Sequence, residues 1–247
     1  MKALILAAGY GTRLKPVTDR IPKALVPVGG VPMLERVIDK VRGEGIDSIV
    51  VNTHWFADQV SSFIEDKDGF GIDIRLSPEK EVILDTGGAI RHAAPLLRGC
   101  GEFLVHNVDI LSDISIGWLA SHMRPGSLAV LAVREAEADR YLLFDEDMRF
   151  AGWTNVKTGE VKSPYPDFNP ERYRKYSFCG IHILSESVFG LMEDWPDKFS
   201  IIDFYLSAAD RFPIYGAVAD GVSLIDIGTP EKLSEAEDLF GRLPKSE

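Results

Sequence analysis

A chain of 247 residues with a net charge of −11, 45% hydrophobic and 26% charged residues can bury a sizeable core and is too apolar for disorder. Its negative balance argues against non-specific binding of nucleic acid, and no apolar run approaches the roughly 20 residues of a membrane span. Two cysteines, Cys100 and Cys179, lack metal-site spacing and read as thiols in a reducing cytoplasm.

The first predicted strand covers residues 2–7. It runs into Leu6-Ala7-Ala8-Gly9-Tyr10-Gly11-Thr12-Arg13-Leu14-Lys15-Pro16, a stretch that closes at Pro22-Lys23. Two glycines, a hydroxyl and an arginine fall within five positions, which suits a loop that cradles a triphosphate with backbone N–H groups and clamps it with cations. Gly9 and Gly11 have the wrong spacing for a Walker A loop, and Leu14 stands where a dinucleotide fingerprint needs its third glycine. Pro16 and Pro22 argue against an immediate helix, so the loop is long and stiff. Residues 1–23 hold five basic side chains (Lys2, Arg13, Lys15, Arg20, Lys23) against Asp19, a local +4 that leaves −15 on the remainder. A basic beginning on an acidic chain fits a site for a small polyanion.

Further strands are expected at Ile49–Asn52, Ile72–Leu76, Phe103–Asn107 and Leu128–Val133. Helical periodicity lies between them in Met33/Leu34/Val37/Ile38/Val41, Val60/Phe63/Ile64 and Ile90/Ala93/Ala94/Leu97. Such alternation predicts a three-layer α/β/α, Rossmann-like, mostly parallel sheet whose ligands sit at the carboxyl ends of strands. Asp109 would reach that same edge. Residues 142–153 read as a hairpin turning at Asp145-Glu146-Asp147, and residues 154–177 as a polar, proline-rich arm with interleaved tyrosines and basic residues. The arm could bind a phosphate, cover the site or contact a second subunit in a homodimer. A strand at 178–184, helices near 186–192 and 200–210, a strand ending in Leu224-Ile225-Asp226 and a helix from Pro230, capped by Thr229, complete the chain. No composition break marks a second domain, so residues 1–247 read as one domain with an inserted arm at about 154–177.

In order, the opening loop, Pro22-Lys23-x-Leu25-x-Pro27-Val28, Thr86-Gly87-Gly88-Ala89, Asn107-x-Asp109, Phe178-x-Gly180-Ile181 and Asp226-x-Gly228-Thr229-Pro230 resemble the signatures of sugar-1-phosphate nucleotidylyltransferases. The resemblance covers essentially the whole chain outside the arm. It implies attack of a sugar 1-phosphate on the α-phosphorus of a nucleoside triphosphate, with release of pyrophosphate. It also implies Arg13 and Lys23 as catalytic cations, the former on the triphosphate tail, and backbone from Ala8, Gly9, Gly11 and Thr12 around phosphate and ribose. Thr86, Gly87, Gly88 and Asn107 would complete the nucleotide site, with the N–H groups of the Thr86–Gly88 turn free for the base. Gly180, Trp153 and Asn155 would meet the sugar, and Asp109 and Asp226 would hold Mg²⁺, a hard cation suited to carboxylates and phosphates.

Asp85 ahead of that turn is similar to the glutamate in the Glu-Thr-Gly-Gly sequence of N-acetylmuramate-1-phosphate uridylyltransferases. The resemblance therefore favours UTP and an amino-sugar 1-phosphate (N-acetylmuramate or N-acetylglucosamine). Guanylyl transfer to mannose or heptose 1-phosphate is the alternative chemistry, and a non-catalytic nucleotide-sugar-binding regulatory homologue the alternative class. Val108, Leu224 and Leu142 depart from the pattern of many members, which puts the sugar in doubt rather than the reaction.

Overall fold

The computed structural model describes residues 1–80 and 82–240. Strand β1 (Lys2–Leu6) leads through a long loop to a short hairpin, β2 (Pro27–Val28) and β3 (Val31–Pro32). Then follow α1 (Met33–Gly43), β4 (Ser48–Thr53), α2 (Ala57–Asp66), β5 (Asp73–Pro78), α3 (Asp85–His92), α4 (Ala94–Leu97), β6 (Glu102–Asn107) and β7 (Ile110–Ser112). The second half comprises α5 (Ile116–Ser121), β8 (Ala129–Arg134), β9 (Arg140–Phe144), β10 (Phe150–Asn155), β11 (Glu160–Lys162), β12 (Arg174–Ser185), α6 (Val188–Leu191), α7 (Ile201–Ala208), β13 (Ile214–Val218), β14 (Leu224–Asp226) and α8 (Pro230–Phe240).

Strands β5, β4, β1 and β6 lie side by side and parallel. Strand β12 pairs antiparallel with β6 and with β8, and β8 carries β13 in parallel beyond it. The central sheet is thus mostly parallel with one reversed strand. Its inner strands β1, β4, β6 and β8 are apolar on both faces, as a sheet covered by helices requires, whereas the edge strand β5 alternates. On β1, Ala3 and Ile5 enter a core shared with α1, α2, α5 and α8, through Val37, Val60, Leu119 and Ala236. Leu4 points the other way, into a core shared with α3, α4, α6 and α7, through Ile90, Leu97, Val188 and Phe204. The three layers are those expected. The third helical pattern is split at Ala93, because Pro95 can stand only in the first turn of a new helix.

The arm extends this sheet. The first residues of β12, Arg174 to Tyr176, pair with β9, which continues through β10 to β11. Its tyrosines fasten it in place. The Tyr165 hydroxyl donates to the Ala209 carbonyl at 3.0 Å, Tyr173 stacks on Phe168 at 4.4 Å, and Tyr176 is buried in the core. Both cysteines are free thiols, and among the described residues no helix is long and apolar enough to cross a membrane.

Candidate active site

Two clefts lie side by side, the first at the carboxyl edge of β1, β4 and β6. The first, of about 330 Å³, has the loop after β1 as one wall: Ala8, Gly9, Gly11, Thr12 and Arg13 all line it. Among the described residues no hydrogen bond takes up the N–H groups of Ala8 to Gly11, so they are left to donate to a ligand. The loop is held from behind. Leu14 is buried, its N–H donates to the Gly11 carbonyl at 2.8 Å, and the Thr18 hydroxyl donates to the same oxygen at 2.8 Å. Gly11 sits at φ +63, and a Cβ there would lie 2.9 Å from Thr18 and 3.0 Å from Lys23, so only glycine fits. Arg13 is exposed and makes no ion pair with a described residue. Lys23, only 9% exposed, reaches the floor of the cleft from a 3₁₀ turn at Lys23–Leu25 and forms an ion pair with Asp109.

Asp109 directly precedes β7, and the antiparallel pairing of β7 with β14 sets Asp226 opposite Ile110. The Ile227 N–H donates to the Asp109 carbonyl at 2.9 Å, so the two aspartates from distant parts of the chain are neighbours. Burial and the negative charge of Asp109 raise the Asp226 carboxyl above the usual carboxylate range, while Lys23, Arg13 and Lys232 pull it down. Asn107, at the end of β6, and Val108 complete the floor.

The second cleft, of about 600 Å³, lies between β9–β11 and the start of α7. Trp153 and Asn155 line it, together with Arg140, Lys162, Ser200 and Asp203. The Lys162 ammonium lies 5.3 Å from the centre of the Trp153 ring and 3.5 Å from Asp203. Asp226 belongs to this second cleft and Asp109 to the first, so the aspartate pair stands where the two meet.

Three glycines do something other than expected. Gly87 and Gly88 line neither cleft, and their N–H groups are not free: both donate to the Phe199 carbonyl, at 2.9 and 3.2 Å. A Cβ would lie 2.4 Å from the Phe199 ring on Gly87 and 2.2 Å from the Asp197 carbonyl on Gly88, so close packing explains both. Thr86 alone of that turn lines the first cleft. Gly180, at φ +70, lines neither cleft either, and a Cβ on it would meet the Asn107 amide at 2.8 Å. It backs Asn107.

Asn52 and Glu79 line the first cleft without having been foreseen. The Asn52 amide donates to one Glu79 oxygen at 2.7 Å, and the other accepts from the Leu84 N–H at 2.8 Å. This buried pair anchors the segment that leads to Thr86. The strand predicted to end at Asn52 was the available signal, since strand ends carry ligands in such sheets.

A loop of free N–H groups, two cations and a carboxylate pair at the edge of a mostly parallel sheet define a phosphate-handling enzyme site. Residues 2–162 match the Nucleotidyl transferase family model. The chain belongs to that family. It is 40% identical over 243 residues, 95% of each chain, to an N-acetylmuramate alpha-1-phosphate uridylyltransferase of Caulobacter vibrioides. It is 28% identical over 233 residues, 94% of this chain and 96% of the other, to a D-glycero-alpha-D-manno-heptose 1-phosphate guanylyltransferase of Campylobacter jejuni. The solved structure of HddC from Yersinia pseudotuberculosis complexed with GMP-PN superposes with a TM-score of 0.75 at 25% identity, covering 97% of this chain and 99% of that one.

Proposed function

We propose that this enzyme transfers a uridylyl group from UTP to an amino-sugar 1-phosphate, N-acetylmuramate 1-phosphate foremost, and releases pyrophosphate. The observation that carries the reading is the meeting of two clefts at Lys23, Asp109 and Asp226. A triphosphate along the Ala8–Arg13 loop and an acceptor phosphate from the arm side would approach one point. The 40% identity to a uridylyltransferase over nearly the whole chain supports the choice of base and sugar.

The chemistry needs no general base. A sugar phosphate has a second pKa of about 6, so its oxygen is already a nucleophile near neutral pH. That oxygen bonds to the α-phosphorus as the bond to the β-phosphate oxygen breaks, and the electron pair leaves with pyrophosphate. What the protein supplies is alignment and positive charge. Arg13, whose guanidinium lies beside Gly228, would hold the triphosphate tail bidentately. Lys23 would exchange Asp109 for the phosphates and stabilise charge on the transferring group.

Asp109 and Asp226 fit a hard divalent cation. They are adjacent like charges, the negative field of one raising the pKa of the other, with open space on the side where phosphates would complete an oxygen shell. Among the described residues no cluster of three or more histidine, cysteine, aspartate or glutamate side chains offers a fuller protein site. Mg²⁺ held there would neutralise phosphate charge.

The test is pyrophosphate release from a matrix of UTP, GTP, CTP and dTTP against sugar 1-phosphates, with Mg²⁺ supplied. UTP with N-acetylmuramate 1-phosphate should give the highest kcat/KM. No turnover with any pair would sink the reading. Guanylyl transfer to a heptose or mannose 1-phosphate is the second reading, favoured by the guanylyltransferase relative and the GMP-PN complex. The GTP arm of the matrix decides it.

A further inference from the structure

The wall between the two clefts is a single hydrogen-bonded unit. On one side stands the first turn of α3, with Thr86 in the nucleotide cleft. On the other stands the first turn of α7, with Ser200, Ile202 and Asp203 in the arm cleft. Helix starts leave N–H groups without intrahelical partners, and here each helix start satisfies the other. The Gly87 and Gly88 N–H groups donate to the Phe199 carbonyl, the Phe199 N–H donates to the Leu84 carbonyl at 3.1 Å, and the Ile201 N–H donates to the Thr86 hydroxyl oxygen at 2.9 Å. Arg91, on the same helix as Thr86, donates to the carbonyls of Met192 and Trp195 and to the Asp197 carboxylate, and lies over the Phe199 ring. Gly87 and Gly88 pack against this segment too tightly to admit a methyl group, so the two helix starts are in direct contact and the hydrogen bonds hold them there.

We propose that Thr86 is a positioning residue that couples the clefts: the position nucleotide gives to Thr86 sets the position of Ser200, Ile202 and Asp203 around the acceptor. The proposal rests on the arm cleft being the sugar-phosphate site. Its content beyond that reading is the route, a residue that lines the nucleotide cleft while its hydroxyl caps the helix that lines the arm cleft. By reciprocity, an acceptor in the arm cleft tightens nucleotide binding by the same factor.

The measurement is the acceptor KM at saturating nucleotide, where a change in nucleotide affinity no longer shows. Thr86→Val keeps the shape and removes the acceptor of the Ile201 N–H. It should raise that KM about tenfold, the worth of a buried hydrogen bond, with a smaller change in kcat. Thr86→Ser, which keeps the hydroxyl, should restore it. Ile201→Pro removes the donor instead, at a first helical position after an extended Ser200, and should repeat the Val effect if Thr86→Val fails to fold. An unchanged acceptor KM in Thr86→Val, or a serine variant no better than valine, overturns the coupling. A wild-type enzyme with no acceptor turnover overturns the functional reading itself, so the two failures are distinct.

Discussion

Gly228 leaves the space that the Arg13 guanidinium occupies, since a Cβ there would lie 2.7 Å from its Nη2. The end of the Asp226-x-Gly228 motif therefore serves a cation of the opening loop. Gly228→Ala should displace the flexible tip of Arg13 rather than the backbone. The expected result is a KM for nucleotide raised about tenfold, roughly one hydrogen bond to a charged group, with an unchanged urea midpoint. An unchanged KM would remove Arg13 from the triphosphate. Asp226 permits a sharper test because its pKa is raised. A raised carboxyl pKa means that the folded chain holds the proton more tightly than the unfolded one. The penalty is therefore absent at low pH and complete once pH has risen past the raised value. In EDTA at pH 7, Asp226→Asn should melt no lower than wild type, with any gain disappearing below the ordinary aspartate pKa of about 3.9, while turnover falls by orders of magnitude. A variant inactive through misfolding would melt lower.

Helix α3 is short, but its first turn is the hinge-pin of the site wall. Gly88→Ala would drive a methyl group against the Asp197 backbone, which cannot swing aside as a side chain can. A loss of about 1–3 kcal/mol in urea unfolding is expected, the usual cost of overpacking, and a loss below that range would mean the 197–201 segment yields. The need for glycine at 87, 88 and 180 is plain from the sequence motifs, but its reason is not, because the contacting groups come from distant segments. Strands β1, β4, β6 and β8 are legible as apolar runs because burial on both faces leaves little polar alternation, while the edge strand β5 shows the alternation of a half-exposed strand. Strands β7 and β11 are three residues each and carry no such signal. The cradle is legible because its chemistry is consecutive. The arm cleft, built from β9, β10, β11 and α7, shows in sequence only at its root, Trp153 and Asn155.

At the scale of the molecule, two fully buried histidines make the fold sensitive to acid. Burial pushes His106 on β6 down to about 4 and His182 on β12 down to about 3, from an ordinary value of 6.5. Both stay neutral in the fold while the unfolded chain takes up protons. Stability is therefore full above pH 6.5 and is lost as pH falls toward 4 and then 3, by about 1.4 kcal/mol per pH unit for each histidine. His182→Gln, whose amide can still hydrogen-bond with the Tyr205 hydroxyl now bonded to the ring, should roughly halve that slope in urea titrations between pH 6 and 4. An unaltered slope would place the acid sensitivity elsewhere. The pairing of β7 with β14 also has a temporal side. A chain emerging from the ribosome carries its phosphate loop and Lys23 from the outset, but Asp109 has no partner carboxylate until residues 224–226 have been made. On the proposed chemistry, a chain truncated before residue 224 would lack one of the two carboxylates at the meeting of the clefts.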